Sequence, residues 1–188
     1  MDADFPVVID ACVLANHPVT DLLLRLVEGP RLFSPRWTEE ILAETHRTMV
    51  QDLKWPEELV ERREQALRGH FPEALIEGHA VLIDRLGNSQ KDRHVLAAAI
   101  WGKCGVITTY NLRDFPAEHL RPWSIEVQHP GELLLSMFDL NPVAVVSKID
   151  EIASDRRVSQ EDQLRTLSRH VPSFVRVVAE QLDLDLDR

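Results

Sequence analysis

The sequence predicts an α/β protein with a mainly parallel central sheet and a helical extension at its C-terminus. Two short β-branched runs, PVVID near the N-terminus and VITTY after Gly105, are typical of buried strands, and SIEVQ after Pro122 is a third candidate. The segments between the first two runs have the apolar spacing of helices. Because strands separated by helices form parallel sheets covered on both faces, we expect three layers, with helices on either side of the sheet.

Glycine and proline mark the breaks between the helical segments that precede the second strand. Gly29-Pro30, Pro56 and Phe71-Pro72 separate the earlier segments, and the stretches 87–89 and 102–105 bound the last one. The predicted helices are TDLLLRLVE, WTEEILAETHRTMVQDL, EELVERREQALRGH, EALIEGHAVLIDRL and DRHVLAAAIWGK.

From about His129 onward the pattern indicates helices alone. GELLLSMFDL and NPVAVVSKIDEIA come first, and a last long helix is predicted from Glu161 to Gln181. The chain has 188 residues, enough for one domain with a full core and an appendage, since domains typically run to roughly 100 to 200 residues. We therefore predict a core domain over residues 1–135 and a helical C-terminal extension over residues 136–188.

The charge balance limits the classes of function. Lysine and arginine together number 21 against 31 aspartates and glutamates, which gives a net charge of −10. This balance argues against a protein that holds nucleic acid by overall positive charge. It is compatible with a metal-dependent nuclease, because bound cations invert the local field and attract phosphate.

Targeting signals are not evident. The N-terminal stretch MDADFPVVID begins acidic and contains no long apolar run, so we predict neither a signal peptide nor a membrane span. Cys12 and Cys104, the two cysteines of the chain, are expected to be small buried residues rather than a disulfide bridge. We therefore predict a cytoplasmic protein.

Four acidic side chains, Asp10, Glu44, Asp92 and Asp114, are the candidate catalytic groups. Asp10 directly follows the first strand, at the end where open parallel sheets bind ligands; capping the next helix is its alternative role. Asp92 opens the helix DRHVLAAAIWGK, whose run Ala97–Ala99 permits close packing on the sheet, and a helix cap is again the alternative. Asp114 follows the second strand in TTYNLRDFP and is otherwise a turn acid.

Glu44 is the most informative of these acids. Steps of about 100° per residue place it within about 60° of Trp37, Ile41 and Thr48, on the helix face predicted to pack inward. Glutamate is almost never fully buried without a partner, so the position predicts either a metal ligand or a buried ion pair with arginine. Glu40, near the edge of the same face, is a reserve candidate.

Four converging carboxylates would repel one another unless cations neutralised them. Mg²⁺ and Mn²⁺ prefer oxygen ligands, which fits carboxylates in the absence of a histidine or cysteine cluster and disfavours zinc. Such ions activate water for attack on a phosphodiester. The acidic set therefore predicts hydrolytic phosphodiester chemistry.

Residues 5–130 resemble the PIN-domain nucleases, in particular the bacterial VapC-like toxins of type II toxin–antitoxin pairs. The matching stretches, in order, are VVIDACVL, WTEEILAE, DRHVLAAAI and ITTYNLRDFP. The resemblance implies a PIN-like α/β/α fold for the core domain and a Mg²⁺- or Mn²⁺-dependent endoribonuclease that cleaves RNA. It also implies a cognate antitoxin that restrains the enzyme, and PIN-like proteins often form homodimers.

Carried over residue by residue, the resemblance makes Asp10, Glu44 and Asp92 catalytic acids and metal ligands. The fourth family acid aligns with Asn111, an amide here, and Asp114 is a possible substitute three residues later. Asparagine can ligate a metal through its carbonyl but adds no negative charge. One-metal chemistry is therefore an alternative to two-metal chemistry, with the fourth position shared between Asn111 and Asp114.

Some alternatives stay open at this point. A catalytically silent PIN-like binding or scaffold module is the second functional hypothesis, because of Asn111 and the low basic content. Arg93 and His94 either bind a phosphate or orient a water, or simply lie on a helix surface. Thr109 either donates a hydrogen bond near the metal or is a solvated strand hydroxyl.

Overall fold

The computed structural model describes residues 5–186. Residues 1–4, which include the acidic start of the chain, and residues 187–188 lie outside the described part. Its four strands form a parallel sheet in the order β2-β1-β3-β4. Within β1, Val7 and Val8 are both fully buried, although neighbouring strand residues face opposite sides of a sheet. Helices therefore cover both faces, which confirms the predicted α/β fold. The strands are β1 Pro6–Ile9, β2 Ser34–Arg36, β3 Val106–Thr108 and β4 Glu126–Gln128.

Side-chain caps fix where many of the helices begin. Asn16, Thr38, Asn141 and Ser159 each accept a hydrogen bond from a backbone N–H in the first turn that follows. The α-helices are α1 Ala11–Leu14, α2 His17–Glu28, α3 Glu39–Arg47, α4 Glu57–His70, α5 Arg93–Trp101, α6 Ala117–Leu120, α7 Pro130–Leu140, α8 Pro142–Arg156, α9 Gln160–Ser168 and α10 Pro172–Gln181. Short 3₁₀ helices cover Pro72–Ala74, His79–Arg85, Gln90–Asp92, Leu112–Asp114 and Arg121–Trp123, and a π-helical turn, Thr48–Asp52, follows α3. No helix within residues 5–186 is long and apolar enough to cross a membrane.

Helices α8 to α10 of the predicted extension share the apolar core of the sheet. Ile149 of α8 and Phe174 of α10 are fully buried in the same cluster as Val7 of β1. Phe174 also meets Phe138 of α7 edge to face, with ring centroids 6.4 Å apart. The extension is thus packed against the rest of the chain, and the division at residue 135 stays a prediction.

Two predicted helices are wrong. EALIEGHAVLIDRL does not form one helix, because Leu75 and Ile76 are extended beside Trp37: the Trp37 N–H donates to Ala74 O and the Ile76 N–H donates to Trp37 O. Gly78 then adopts a left-handed backbone, with φ of 85°, which ends any helical continuation.

The long C-terminal helix predicted from Glu161 to Gln181 is also wrong, because the chain divides it into α9 and α10. Pro172 stands at the first position of α10, where its missing N–H costs nothing, whereas inside a continuous helix it would remove a hydrogen bond and clash with the preceding turn. The break turns the chain at Arg169 and His170, between the two helices.

The order of the strands creates one crevice in the sheet. The chain passes from β1 to β2 on one side and later returns to β3 on the other side of β1. In parallel α/β sheets, ligands bind outside the carboxyl ends of the strands at such a reversal. Asp10 follows β1 and Thr109 follows β3, so both lie at this crevice.

Candidate active site

Asp10 is held rigidly at the end of β1. It is 4% exposed, and its two carboxylate oxygens have different partners. Oδ1 accepts the N–H of Ala11 at 2.7 Å and so caps α1. Oδ2 accepts the hydroxyl of Thr109 at 2.6 Å and the thiol of Cys12 at 3.2 Å. Asp10 therefore has the capping role and also presents an ordered carboxylate at the crevice.

Thr109 is fully buried rather than solvated. Its Oγ1 also accepts the N–H of Asn111 at 3.0 Å, so the same hydroxyl fixes the chain direction after β3. Asn111 itself is exposed. The alternative that Thr109 is a solvated strand hydroxyl is therefore wrong, and its part in a metal site stays a prediction.

Asp92 and Asp114 lie near Asp10. Asp92 is 8% exposed, and its Oδ2 is buried without a hydrogen-bond partner in the described chain. Burial raises the pKa of Asp92, and the negative charges of Asp114 and Asp10 add to that effect, whereas Ser89 and Lys91 oppose it. The structure therefore brings three of the predicted acids within electrostatic reach of one another.

A lysine that the sequence reasoning missed lies among these acids. The Lys91 ammonium is 2.9 Å from Asp114 Oδ2 and 3.8 Å from Asp92 Oδ2. A hydrogen bond to Asp114 is the largest cause of the raised pKa of Lys91, and Asp92 and Asp10 contribute. Its position directly before Asp92 was visible in the sequence, but nothing there indicated which way the side chain points.

Glu44 is partly exposed rather than on the inward face of its helix. The buried stripe of α3 consists of Ile41, Leu42 and Thr45, and the Glu44 side chain is 37% exposed. The expectation that Glu44 packs inward is therefore wrong, because the buried residues of α3 lie on a neighbouring face of the helix. Its partner is His94 rather than arginine: His94 Nε2 is 3.4 Å from Glu44 Oε1.

His94 is buried, so the alternative that it lies on a helix surface is wrong. Burial alone would lower the pKa of His94, but the adjacent Glu44, with Asp10 and Glu40, outweighs burial and raises it. In return, His94 is the main cause of the lowered pKa of Glu44. Arg93 turns away and donates to the backbone oxygen of Asn88 at 3.2 Å.

Glu40, the reserve candidate, contacts a different histidine. Its Oε2 is 3.4 Å from His79 Nε2, and His79 is 4% exposed. Burial lowers the pKa of His79, and the charge of Glu40 partly offsets that effect. Glu40 and Glu44 of α3 thus pair with separate imidazoles, His79 of the 3₁₀ helix His79–Arg85 and His94 of α5.

The donor types of these acids fit a hard cation, although the acids are not gathered into a preformed metal site within residues 5–186. Carboxylate oxygens at Asp10, Asp92 and Asp114 are the ligands that Mg²⁺ and Mn²⁺ prefer, and a buried carboxylate oxygen without a hydrogen-bond partner, as at Asp92, is stabilised by a cation. Lys91 already supplies one positive charge there. Within residues 5–186 no group of three or more histidine, cysteine, aspartate or glutamate side chains is arranged closely enough to hold a metal ion.

Comparison with known proteins gives an independent indication of family. A curated protein of Mycobacterium tuberculosis (strain ATCC 25618 / H37Rv), "Putative ribonuclease VapC50", is 37% identical to this chain over 100 residues. The resemblance to VapC-like PIN-domain nucleases is confirmed. The match covers 52% of this chain and 59% of the VapC-like relative. No protein-family model and no solved structure matches the chain.

Proposed function

We propose that this protein is a cytoplasmic, Mg²⁺- or Mn²⁺-dependent endoribonuclease, the toxin of a toxin–antitoxin pair. The observation that carries the proposal is the buried Oδ2 of Asp92, which has no hydrogen-bond partner within residues 5–186 and lies near the charges of Lys91, Asp10 and Asp114. The VapC-like relative, named as a ribonuclease, supports the choice of RNA. Two free thiols, Cys12 and Cys104, agree with a reducing compartment. A cognate antitoxin and self-association into a homodimer belong to the same proposal.

In this mechanism Asp10, Asp92 and Asp114 would move closer together to hold the cation, with Glu44 and Asn111 as further oxygen donors. When bound there, such an ion would supply an activated water and neutralise charge on the phosphate. Thr109 and the Ala11 N–H fix the orientation of the Asp10 carboxylate. His94 lowers the pKa of Glu44 and so keeps that side chain ionised.

The second candidate function is a catalytically silent binding or scaffold module with the same fold. It is favoured by the uncharged Asn111 and by the absence, in the described part of the chain, of a preformed cluster of metal-binding side chains. Such a module would bind a protein partner without cleaving RNA.

Cleavage of a mixed RNA pool distinguishes the two functions. We expect the purified chain to cleave RNA with Mg²⁺ or Mn²⁺, not with EDTA, and sequencing of the product ends would give the site preference. Asp10→Asn should be inactive, and Asp139→Asn, an exposed acid on α7, should remain active. Equal activity of wild type and Asp10→Asn would refute the nuclease, and no cleavage by either protein would favour the binding module.

Thr109→Val is expected to reduce the rate of RNA cleavage by about 10- to 100-fold, the usual size for loss of a group that orients a metal ligand. Valine fills the same buried volume but cannot donate to Asp10 Oδ2. Thr109→Ser is the matched control, because it keeps the hydroxyl and should retain most of the activity. Single-turnover cleavage rates at saturating metal measure the difference, and equal rates for the valine and serine variants would contradict it.

Lys91→Met is expected to tighten Mn²⁺ binding by about 3- to 10-fold, because it removes the ammonium that competes for the carboxylates of Asp92 and Asp114. Isothermal titration of the chain with Mn²⁺ measures the effect. Lys103→Met, at an exposed lysine after α5, should leave the affinity unchanged. Weaker binding in the Lys91 variant would show that Lys91 supports the ion rather than competes with it.

A further inference from the structure

A groove of about 540 Å³ opens next to the acidic site, a volume within the range of about 300 to 1,000 Å³ that small-molecule sites occupy. We call it the Trp55 groove; it lies between α1, the π-helical turn and the break between α9 and α10. The lining residues used below are Cys12, His17, Trp55, Tyr110, Arg169 and His170.

The side chain of Cys12 separates the Trp55 groove from Asp10. Cys12 lines the groove, and its Sγ lies 3.2 Å from Asp10 Oδ2. Tyr110, also in the lining, donates its N–H to the same sulfur at 3.3 Å. Burial raises the pKa of the Cys12 thiol to about 12, so the group between groove and site is an uncharged thiol at neutral pH. A ligand in the groove is therefore adjacent to the reacting centre.

The groove is lined by two aromatic side chains and two histidines, together with aliphatic residues. Trp55 is half-buried, and its ring meets that of His17 edge to face with centroids 5.6 Å apart. Tyr110 is braced by His129 at 5.0 Å, and its hydroxyl oxygen is shielded from solvent without a partner in residues 5–186. Burial lowers the pKa of His17 and of His170, with nearby arginines contributing, so both rings are neutral donors and acceptors at pH 7.

The charge of the groove is opposite to that of the whole chain. None of the described residues that line it is acidic, although the chain contains 31 aspartates and glutamates. Arg169, which is exposed, makes no ion pair within the described residues and stands at its edge. The neighbouring cavities beside Asp21 and beside Glu39 both contain carboxylates. A ligand that is aromatic and carries negative charge matches these features.

We propose that the Trp55 groove binds an unpaired base of the RNA next to the cleaved phosphodiester. The base stacks against the aromatic wall formed by Trp55 and Tyr110, and Arg169 contacts a flanking phosphate. This inference rests on the proposed nuclease function and gives it a single-stranded substrate. It also gives the C-terminal extension a role, because Arg169 and His170 come from the break at Pro172.

The test is direct binding of a hexaribonucleotide that carries one 2-aminopurine, titrated with the full chain in low-salt buffer with EDTA so that no cleavage occurs. Stacking is expected to quench the 2-aminopurine fluorescence. Trp55→Leu and Arg169→Ala should each weaken binding by about 5-fold or more. Trp123→Leu and Arg176→Ala, at exposed positions outside the groove, are the matched controls. Arg169→Ala keeps the test valid if Trp55→Leu does not fold.

Cleavage assays on the same preparations separate the two proposals. If RNA is cleaved but neither groove variant changes quenching or affinity, the base site is refuted and the nuclease stands. If quenching depends on Trp55 and Arg169 while no RNA is cleaved, the base site stands and the nuclease is refuted. If the oligonucleotide produces no quenching, the inference is overturned and the groove is left to an apolar segment of a protein partner.

Discussion

Asp92→Asn is expected to reduce the rate of RNA cleavage by about 100-fold or more and at the same time to raise the Tm. Activity is lost because the neutral amide no longer provides a negatively charged ligand for the cation. Stability rises because, without metal, burial and the charges of Asp114 and Asp10 disfavour the ionised Asp92 and raise its pKa. A raised carboxyl pKa costs stability as the pH rises through it, so the gain should be present at pH 7 and fade toward pH 4.

The two effects are measured separately, by cleavage of labelled RNA and by thermal unfolding in EDTA at pH 7 and pH 4. An increase in Tm of about 2 to 4 °C corresponds to roughly 1 kcal/mol in a chain of this length. Asp139→Asn on the exposed face of α7 is the control and should change neither quantity. A lower Tm at pH 7 would mean that the Asp92 carboxylate stabilises the fold and would contradict the electrostatic account of the site.

Phe174→Ala is expected to lower the free energy of unfolding by about 3 to 5 kcal/mol, the usual cost of removing a fully buried phenylalanine. Phe174 is 0% exposed and packs edge to face on Phe138 of α7, so its loss opens a cavity between the extension and the rest of the core. The corresponding fall in Tm is roughly 6 to 20 °C.

A single unfolding transition in the Phe174 variant would show that the extension and the sheet unfold together. Val143→Ala on α8, where valine is 78% exposed, is the matched control and should change the Tm little. A separate low-temperature transition, with the remainder unfolding as in wild type, would instead show that the helices beyond residue 135 form a unit of their own.

The sequence was sufficient for three of the four strands and for most helices. Apolar runs of β-branched residues, as in β1 and β3, carry their own signal. Strand β2, Ser34–Arg36, was missed because Pro35 and the short polar run give no such signal, and its strand pairing depends on the tertiary neighbour β1. The stretch after Pro72 was misassigned for the same reason, because contacts with Trp37 override its helical spacing.

For the site, the sequence identified three acids that the fold brings close, Asp10, Asp92 and Asp114. They stand after strands or at the start of a helix, and the parallel topology places such positions near one another. The sequence could not show that Lys91 points into the acidic set, or that Glu44 meets His94. Those contacts depend on side-chain direction and on the distance between elements remote in sequence, and neither leaves a local pattern. The roles of these residues in catalysis stay predictions.

The hydrogen bond from Thr109 to Asp10 joins residues 99 positions apart. During synthesis Asp10 and Glu44 therefore leave the ribosome before Thr109. Thr109 reaches Asp10 only when β3 pairs with β1. Until these strands pair, Asp10 lacks the hydrogen bond from Thr109, and the crevice between β1 and β3 is not formed. The acidic centre therefore depends on a contact between residues remote in sequence, and such contacts form more slowly than local ones.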